Sequence, residues 1–464
     1  MGRPKKNKLK KFKPKEPAAA VKAVESFGTW QTLKGFKDIL PTDQKFFKAV
    51  KTAAINLANL YGFKRIDLPI LEETGLFVRG TGKTTDIVEK EMFSFVDKSG
   101  ENVALRPEVT PSVVRAYLQH GMVNLSQPVK LYYVGQAFRR ENPQSGRLRQ
   151  FQQFGLEVVG EKHPAVDAEL IFLGFTILKN LGLETEVVIN SLGCPVCRPN
   201  YQTRLVNYYS SKTRQLCLDC KKRLSKNPLR LLDCKEESCQ SLKAEAPQIV
   251  DHLCEECKSH LMKVLEYLDN WEVSYSLNPQ IVRGLDYYTK TVWEYWPKQE
   301  KASSQNALGA GGRYDNLVET LGGVPTPAAG LALGIERIVL QLKEKGQEFS
   351  EPYVPEVYVA QLGEQAKLKA MVLYEELRRQ GFKISASFYK DSLRQQLEVA
   401  NKLGVKISLI LGQQEMADQT ILIREMESGT QEVIDFKKTA TELRKKLDKM
   451  VGDQTYTAKE VAYV

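Results

Sequence analysis

The clearest chemical signal lies on one predicted strand, Arg147–Val158. Side chains on a strand alternate between its two faces, so Gln153 and Glu157 share a face, with Gly155 between them. An amide and a carboxylate that flank bare backbone predict an open patch of sheet that holds a small polar ligand. The alternative is a solvated outer face. Such a face rarely keeps glycine inside a strand, where it costs about 0.5–1 kcal/mol relative to alanine, so we favour the ligand site.

A second signal is the concentration of arginine around the predicted tip of a hairpin. Guanidinium groups bind phosphate in a bidentate manner and stay charged at every working pH. The cluster therefore indicates a clamp for a nucleotide triphosphate or an RNA end, with ordinary surface arginines as the alternative. The arginines at the tip are Arg139, Arg140, Arg147 and Arg149.

A further arginine, Arg283, follows an apolar pair, where a cation is costly unless it meets an anion. A bound ligand and an ion pair with Asp286 both remain open as the source of that anion.

Cysteines supply the third signal, since all eight lie between Cys194 and Cys257. The first four have the spacing C-x₂-C-x₁₉-C-x₂-C, which is typical of a tetrathiolate zinc site. The last four predict a second site, although a crossed pairing and substitution by His252 or His260 stay open. Reduced thiols without metal are the alternative to zinc. A structural role is favoured because no open coordination position is evident. The cysteines are Cys194, Cys197, Cys217, Cys220, Cys234, Cys239, Cys254 and Cys257.

Length and composition indicate a globular protein of about three domains, since the chain has 464 residues. No run of about 18 uncharged apolar residues is present, which excludes a transmembrane helix. No apolar segment follows the basic N-terminus, which argues against a secretory signal. A cytoplasmic location with no membrane partner is therefore expected.

The positive charge of the chain is concentrated at its N-terminus. Residues 1–15 carry eight lysines and arginines and no acid, so they contribute +8 of the net charge of +11. This tail is a nucleic-acid arm or a solvated extension.

The elements that must position these residues follow from periodicity. A helical pattern covers 43–61, and two β-rich runs at 129–140 and 148–160 predict a long antiparallel hairpin. After a linker at 351–355, strands and helices alternate regularly, beginning with a strand at 357–361, which predicts a separate α/β domain. The predicted domains are a basic disordered tail (1–26), a first core segment (27–190), a cysteine-rich insertion (191–263), a second core segment (264–350), the α/β domain (351–450) and a C-terminal tail (451–464).

Short motifs follow one another in a fixed order along 30–450. They are Lys34-Gly-Phe-Lys-Asp-Ile-Leu-Pro, Leu105-Arg-Pro-Glu-Val-Thr, Phe138-Arg-Arg-Glu, Gly146-Arg-Leu-Arg-Gln-Phe-Gln-Gln-Phe-Gly-Leu-Glu, Arg283-Gly-Leu-Asp-Tyr-Tyr, Gly311-Gly-Arg-Tyr-Asp and Gly330-Leu-Ala-Leu-Gly-Ile-Glu-Arg. In type and order these motifs resemble those of the histidyl-tRNA synthetases, a family of class II aminoacyl-tRNA synthetases. The cysteine-rich insertion resembles that of a subset of the bacterial members.

The resemblance implies an α+β fold, with a class II catalytic core on an antiparallel sheet flanked by helices. The cysteine-rich insertion and a C-terminal α/β anticodon-binding domain complete it. The implied protein is a homodimer that activates L-histidine with ATP and Mg²⁺ to histidyl-adenylate and transfers the histidyl group to the 3′ end of tRNA(His). The alternative is the synthetase-like, non-catalytic regulatory subunit of ATP phosphoribosyltransferase. That subunit lacks an anticodon-binding domain, which this chain is predicted to have at 351–450.

Roles for single residues are also implied by the resemblance, motif by motif. Arg283 and Arg139 are the expected catalytic residues, on the α-phosphate, because transfer at phosphorus builds negative charge that fixed cations stabilise. The residues expected to bind histidine are Glu108, Thr110, Gln153, Glu157, Arg283, Tyr288 and Tyr314, and those expected to bind ATP are Arg139, Glu141, Arg147 and Arg337. The eight cysteines are expected to hold structural Zn²⁺.

Overall fold

The structure, a computed structural model, describes residues 29–298, 306–350 and 353–452. The basic tail predicted at 1–26 lies outside the described residues, and so do residues 453–464 of the predicted C-terminal tail. The chain divides into two compact units, with the division between Gln347 and Glu348. No helix in the described part of the chain is long and apolar enough to cross a membrane.

The first unit contains an eight-stranded sheet and a three-stranded sheet. Its strands are β1 (Lys64–Arg65), β2 (Leu71–Glu73), β3 (Phe93–Val96), β4 (Asn102–Leu105), β5 (Val129–Phe138), β6 (Gln150–Val159), β7 (Thr185–Ser191), β8 (Tyr275–Leu277), β9 (Thr289–Pro297), β10 (Gly309–Arg313) and β11 (Ala328–Gly334). Its helices are α1 (Gln44–Leu60), α2 (Thr74–Thr81), α3 (Thr110–Gln119), α4 (Ala165–Asn180), α5 (Arg198–Ser210), α6 (Leu218–Lys226), α7 (Glu237–Ala244), α8 (Glu255–Asn270), α9 (Leu317–Thr320) and α10 (Ile335–Glu344).

The large sheet runs in the order β1-β5-β6-β11-β10-β9-β7-β8, and the small sheet in the order β2-β4-β3. In the large sheet the two edge pairs, β1 with β5 and β7 with β8, are parallel. The pairs between them are antiparallel. Helix α1 contacts both α4 and α10, and all three helices contact the sheet. The predicted antiparallel sheet with flanking helices is therefore confirmed.

The predicted hairpin is confirmed as β5 and β6, whose register places Gly135 opposite Gln153 and Leu131 opposite Glu157. Strand β6 is central in the sheet, because β11 pairs with its other edge and places Gly330 opposite Glu157. A Cβ atom on Gly330 would lie 1.8 Å from Oε2 of Glu157, so this approach of the two strands requires glycine. The hairpin thus sets Gln153 and Glu157 on one face near the middle of the sheet.

The cysteine-rich segment leaves the sheet after β7 and rejoins it at β8, which is the parallel neighbour of β7. Helices α5, α6 and α7 lie within this segment. Its own small core packs Leu205, Tyr209, Leu231 and Leu242 around buried cysteines. Helix α8 continues past the predicted end of the insertion at 263 and contacts α4 of the core. The insertion is therefore a module whose two ends lie beside each other at one edge of the sheet.

The second unit is a five-stranded sheet with helices. Its elements are β12 (Val357–Gln361), α11 (Glu364–Arg379), β13 (Ile384–Ala386), α12 (Leu393–Lys402), β14 (Ile407–Leu411), α13 (Gln413–Asp418), β15 (Thr420–Glu425), β16 (Gln431–Asp435) and α14 (Thr439–Gly452). The order is β13-β12-β14-β15-β16; the first three strands are parallel and the last two are antiparallel additions. Crossover helices between parallel strands are the pattern of an α/β domain, so the predicted alternation is confirmed.

Candidate active site

A cavity of about 530 Å³ opens over strands β5, β6, β10 and β11 of the large sheet. Residues far apart in the sequence meet there, including nine that were predicted to bind ligands. These nine are Glu108, Thr110, Arg139, Glu141, Arg147, Gln153, Arg283, Tyr288 and Arg337. The other two predicted residues, Glu157 and Tyr314, do not line the cavity but lie in its buried wall. The structure therefore brings the predicted site together around one cavity.

Glu157 is connected to the cavity through the hydroxyl group of Thr110. That hydroxyl donates to Oε1 of Glu157 over 2.7 Å, and the hydroxyl of Tyr314 donates to Oε2. Burial raises the pKa of Glu157 to about 8, with the hydrogen bonds from Tyr314 and Thr110 opposing the shift and the charge of Glu108 adding to it. The inner wall thus holds a carboxyl group that a cationic ligand would help to ionise.

Glu108 faces the cavity with one oxygen atom unsatisfied. The hydroxyl of Tyr287 donates to its Oε2 over 2.6 Å, whereas its buried Oε1 has no hydrogen-bond partner among the described residues. Burial raises the pKa of Glu108 to about 7, against the lowering effects of Tyr287, Arg139 and Arg283. A buried acceptor without a donor is costly, so this oxygen marks a position for a ligand N–H group.

Tyr287 was missed by the sequence analysis, which selected only its neighbour Tyr288. Both tyrosines line the cavity, and the Tyr287 ring also packs edge-on against Tyr314 at 5.6 Å. The adjacency of two tyrosines was the only signal available. The path of the loop before β9 decides which of the two hydroxyl groups contacts Glu108. That path could not be predicted from the sequence, because side chains in an irregular loop follow no fixed period.

The predicted open patch of sheet at Gly155 is wrong. Tyr133 is the cross-strand partner of Gly155, and a Cβ atom on Gly155 would lie 2.1 Å from Cζ of the Tyr133 ring. Glycine is required here because an aromatic ring lies across the strand, and the ligand space is further along the same face, beside Gln153. A sequence shows where a side chain is missing but not which neighbour occupies the space.

Arg283 is held by partners that the sequence did not indicate. Its Nη1 donates to Oε1 of Glu294 over 3.0 Å, and its guanidinium lies 5.1 Å from the centre of the Tyr288 ring. The alternative ion pair with Asp286 is wrong, because Asp286 instead accepts a hydrogen bond from Asn227. The buried Nε of Arg283 has no hydrogen-bond partner among the described residues, so a donor remains for a ligand.

Three arginines concentrate positive charge along the cavity, from Arg139 near Glu108 to Arg147 and Arg337. Arg139 donates from Nε to the carbonyl of Pro107 over 2.9 Å, and Arg147 pairs with Glu141 at 3.3 Å. Arg337 donates to the carbonyl oxygens of Gly146 and Ala307. Burial and the charge of Arg147 lower the pKa of Arg337 to about 10. Cations crowded in this way favour a polyanionic ligand, whereas Arg140 and Arg149 do not line the cavity.

The eight cysteines form two clusters of four, and the pairing predicted from their order is wrong. One cluster, here called the outer cluster, joins the first pair to the last pair; the inner cluster joins the two middle pairs. In each, the sulfur atoms lie within 4.8 Å of one another. The outer cluster is Cys194, Cys197, Cys254 and Cys257, and the inner cluster is Cys217, Cys220, Cys234 and Cys239. The crossed alternative is therefore the observed one.

Both clusters fit zinc. Several sulfur pairs are 3.8 Å apart, and a tetrahedron with Zn–S distances of about 2.3 Å has sulfur separations of about 3.8 Å. A disulfide needs about 2.05 Å, and all eight cysteines are free. Neither histidine substitutes for a ligand: His260 contacts Asp167 at 3.4 Å, and His252 stacks on Tyr201.

Comparison with known proteins covers both units. Residues 35–338 match the family model described as histidyl-tRNA synthetase, and residues 356–446 match the model described as anticodon binding domain. The histidine–tRNA ligase of Caldicellulosiruptor saccharolyticus is 42% identical over 418 residues, which is 90% of this chain and 99% of that protein. That of Dehalococcoides mccartyi is 43% identical over 419 residues, which is 90% of this chain and 100% of that protein.

Solved structures of histidyl-tRNA synthetases are also similar to this chain. The apo histidyl-tRNA synthetase of S. aureus has 34% sequence identity and a TM-score of 0.74, covering 89% of this chain and 99% of that one. A protein of Bacillus halodurans named as an ATP phosphoribosyltransferase regulatory subunit/histidyl-tRNA synthetase has 20% identity and a TM-score of 0.60, covering 83% of this chain and 99% of that one. At that identity the likeness concerns the fold alone.

Proposed function

The chain belongs to the histidyl-tRNA synthetase family. We propose that its cavity activates L-histidine with ATP to histidyl-adenylate and passes the histidyl group to tRNA(His). In the first step a carboxylate oxygen of histidine attacks the α-phosphorus of ATP. The new O–P bond forms as the bond to the β-phosphate breaks, and pyrophosphate leaves with the electron pair. In the second step a hydroxyl oxygen of the 3′-terminal ribose attacks the histidyl carbonyl carbon, the bond from that carbon to the phosphate oxygen breaks, and AMP leaves with the electron pair. The hydroxyl proton passes to a phosphate oxygen of AMP, directly or through water.

The two ends of the cavity divide the substrates between them. Glu108, with its unsatisfied oxygen, and Glu157, reached through Thr110, are suited to the ammonium and imidazole N–H groups of histidine. The three arginines are suited to ATP, which enters as its Mg²⁺ complex. Arg283 lines the same cavity, where its Nε, which has no hydrogen-bond partner among the described residues, can donate to the α-phosphate. Buried polar groups that only histidine satisfies would reject other amino acids by about 10⁴-fold or more.

The observation that carries this proposal is the convergence of buried carboxyl groups and arginines on one cavity. It is tested by histidine-dependent exchange of pyrophosphate into ATP without tRNA. We expect exchange with histidine and only background with the other amino acids. The regulatory-subunit alternative predicts no exchange with any amino acid, and absence of exchange would contradict the proposed reaction. The match to an anticodon binding domain at 356–446 argues against that alternative.

We expect histidine to bind more tightly as the pH rises from about 6 to 8. The pKa values of Glu108 and Glu157, about 7 and about 8 in the free protein, mean that both carboxyl groups are mostly protonated at pH 6. A cationic ligand requires them ionised, so binding releases protons and Kd falls by about tenfold or more over this range. Calorimetry in two buffers of different ionisation enthalpy measures the released protons.

Glu157→Gln is the control for this pH dependence. The variant cannot ionise at position 157, so it should release fewer protons on binding, while the contribution of the imidazole of free histidine is unchanged. An affinity that is independent of pH in the parent protein would show that neither carboxyl group loses a proton on binding, and an identical proton release in the variant would show the same for Glu157.

We propose that each cysteine cluster holds one structural Zn²⁺, and the pairing gives a sharp test. In the observed pairing Cys194 and Cys217 belong to different clusters, so Cys194→Ser combined with Cys217→Ser should remove both metals. If the pairs were joined in chain order, these two cysteines would share one site and one zinc would remain. Elemental analysis of protein purified without chelator counts the metals, and the single variants, with one zinc each, are the controls.

A homodimer in the cytoplasm is the assembly that we propose for this activity. Its support is the small sheet β2-β4-β3, where Leu71, Phe95 and Val96 are each about half exposed. Apolar side chains grouped on one exposed sheet are typical of an interface. The unit that begins at Glu348 would contact the anticodon of tRNA(His). Light scattering at twice the mass of the chain is expected, and a monomer at micromolar concentration would contradict the dimer.

A further inference from the structure

The insertion contributes to the cavity as well as to its own small core. Arg230, Leu232 and Asp233 line the cavity, and so do the lysines Lys235 and Lys243. The sequence analysis treated the cysteine-rich segment as a structural module and assigned none of these residues to the site. The cavity wall nearest the inner cluster therefore contains cations whose role is unassigned.

Lys235 is held in place by the inner cluster on both sides. It directly follows Cys234, and Cys239 is the next cysteine, so residues 235–238 form a short segment with a cluster ligand at each end. Nε2 of Gln240 donates to the carbonyl of Cys234 over 2.9 Å and closes the turn further. A metal bound by the inner cluster would fix this segment against the cavity, because all four sulfurs must converge on one ion.

The charge of Lys235 has no partner of its own. Lys235 lines the cavity but is exposed; its ammonium forms no hydrogen bond and no ion pair with any residue that the structure describes, although it feels the charges of Asp233, Arg147, Glu294 and Arg337. Both acids are already engaged by an arginine, Asp233 with Arg230 at 3.9 Å and Glu294 with Arg283 at 3.0 Å.

Lys235, Arg147 and Arg337 are thus three cations facing one space. Like charges brought together repel one another unless an anion lies between them. The end of the cavity that these residues surround is the one suited to the phosphates of ATP. A lysine without a carboxylate partner at this position is matched to a multiply charged phosphate group.

We propose that Lys235 binds the outer phosphates of ATP and the pyrophosphate that leaves, and that the inner cysteine cluster positions it there. This inference rests on the proposed function and adds a phosphate-binding residue from the insertion. Lys235 makes no covalent bond and moves no proton; its ammonium stabilises the charge that gathers on pyrophosphate as the α-phosphorus bond breaks.

Lys235→Ala should raise KM for ATP in the exchange assay by about tenfold, the equivalent of about 1.4 kcal/mol, with KM for histidine unchanged. KM for inorganic pyrophosphate, the exchanging substrate of the same assay, should rise by the same factor, and Lys235→Arg should keep most of the affinity because the charge remains. Lys222→Ala is the matched control: it removes an exposed lysine on α6 of the same module that does not line the cavity. Unchanged ATP and pyrophosphate binding in Lys235→Ala would overturn the inference.

The role of the inner cluster is tested by coupling. Cys239→Ser should lose one metal and weaken ATP binding, and adding Lys235→Ala to it should bring little further loss. Additive effects would show that the cluster does not position the lysine. ATP affinity is also measured directly by calorimetry, without catalysis. If the parent protein shows no histidine-dependent exchange, the proposed function fails while the binding comparison still decides on Lys235.

Discussion

Arg283→Ala is expected to slow the formation of histidyl-adenylate by about 2–4 kcal/mol in barrier, which is about 30- to 1,000-fold in rate. The guanidinium is fixed between the carboxylate of Glu294 and the ring of Tyr288, so it needs no rearrangement as charge develops on phosphorus. Alanine leaves that charge unopposed and also leaves Glu294 unpaired. Single-turnover measurement of adenylate formation separates this step from product release.

Two further variants give this result its meaning. Arg140→Ala removes an exposed arginine that follows β5 and does not line the cavity, and it should leave the rate unchanged. Arg283→Lys keeps a charge but loses the planar fork, so it should recover only part of the loss. If Arg283→Ala forms adenylate at the parent rate, Arg283 has no role on the α-phosphate.

Asp167→Ala is expected to destabilise the protein by about 3–5 kcal/mol, because it leaves a buried arginine without its counter-charge. Arg313 and Asp167 are both 0% exposed, and Nε of Arg313 donates to Oδ2 of Asp167 over 3.0 Å. Although burial acts to raise it, the pKa of Asp167 lies below its usual range because of the charge and hydrogen bonds of Arg313. Urea unfolding followed by circular dichroism measures the change.

The control for Asp167 uses the second acid beside the same arginine. Asp315 pairs with Arg313 at 3.1 Å but is 19% exposed, so Asp315→Ala should cost much less. Replacing both buried partners, with Asp167→Leu and Arg313→Met, should recover most of the stability, because the two fully buried charges are removed together and Asp315 keeps Lys290 at 3.8 Å. A loss below about 1 kcal/mol in Asp167→Ala would mean that Arg313 finds another partner or water.

The sequence predicted the elements in which one period persists over many residues. Two such elements are the hairpin of β5 and β6, whose strands alternate polar and apolar side chains, and the strand at 357–361, which is mostly apolar. The structure contains both. Nine of the eleven residues that were predicted to bind ligands line one cavity. The sequence therefore indicated which residues come together; that they bind ligands stays a prediction.

What the sequence did not reveal depends on contacts between distant segments. The partner of Gly155 is Tyr133, from the neighbouring strand, and the partner of Arg283 is Glu294 rather than the nearby Asp286. The pairing of the cysteines has the same cause, since chain order favours neighbouring pairs whereas the fold joins the first to the last. Lys235 reaches the cavity only through the packing of the insertion.

The outer cluster joins positions 60 residues apart in the chain, Cys194 and Cys254, whose sulfur atoms are 3.8 Å apart. The chain therefore enters and leaves the module at nearly the same place. A metal bound there would lower the conformational entropy of the unfolded segment between these cysteines, because it closes that segment into a loop. A segment with coincident ends can be added to or cut from a host without redirecting the host's chain. Replacing residues 195–253 with a short turn should therefore leave the catalytic sheet folded. Inserted into a loop of another protein, the module should fold only when zinc is bound.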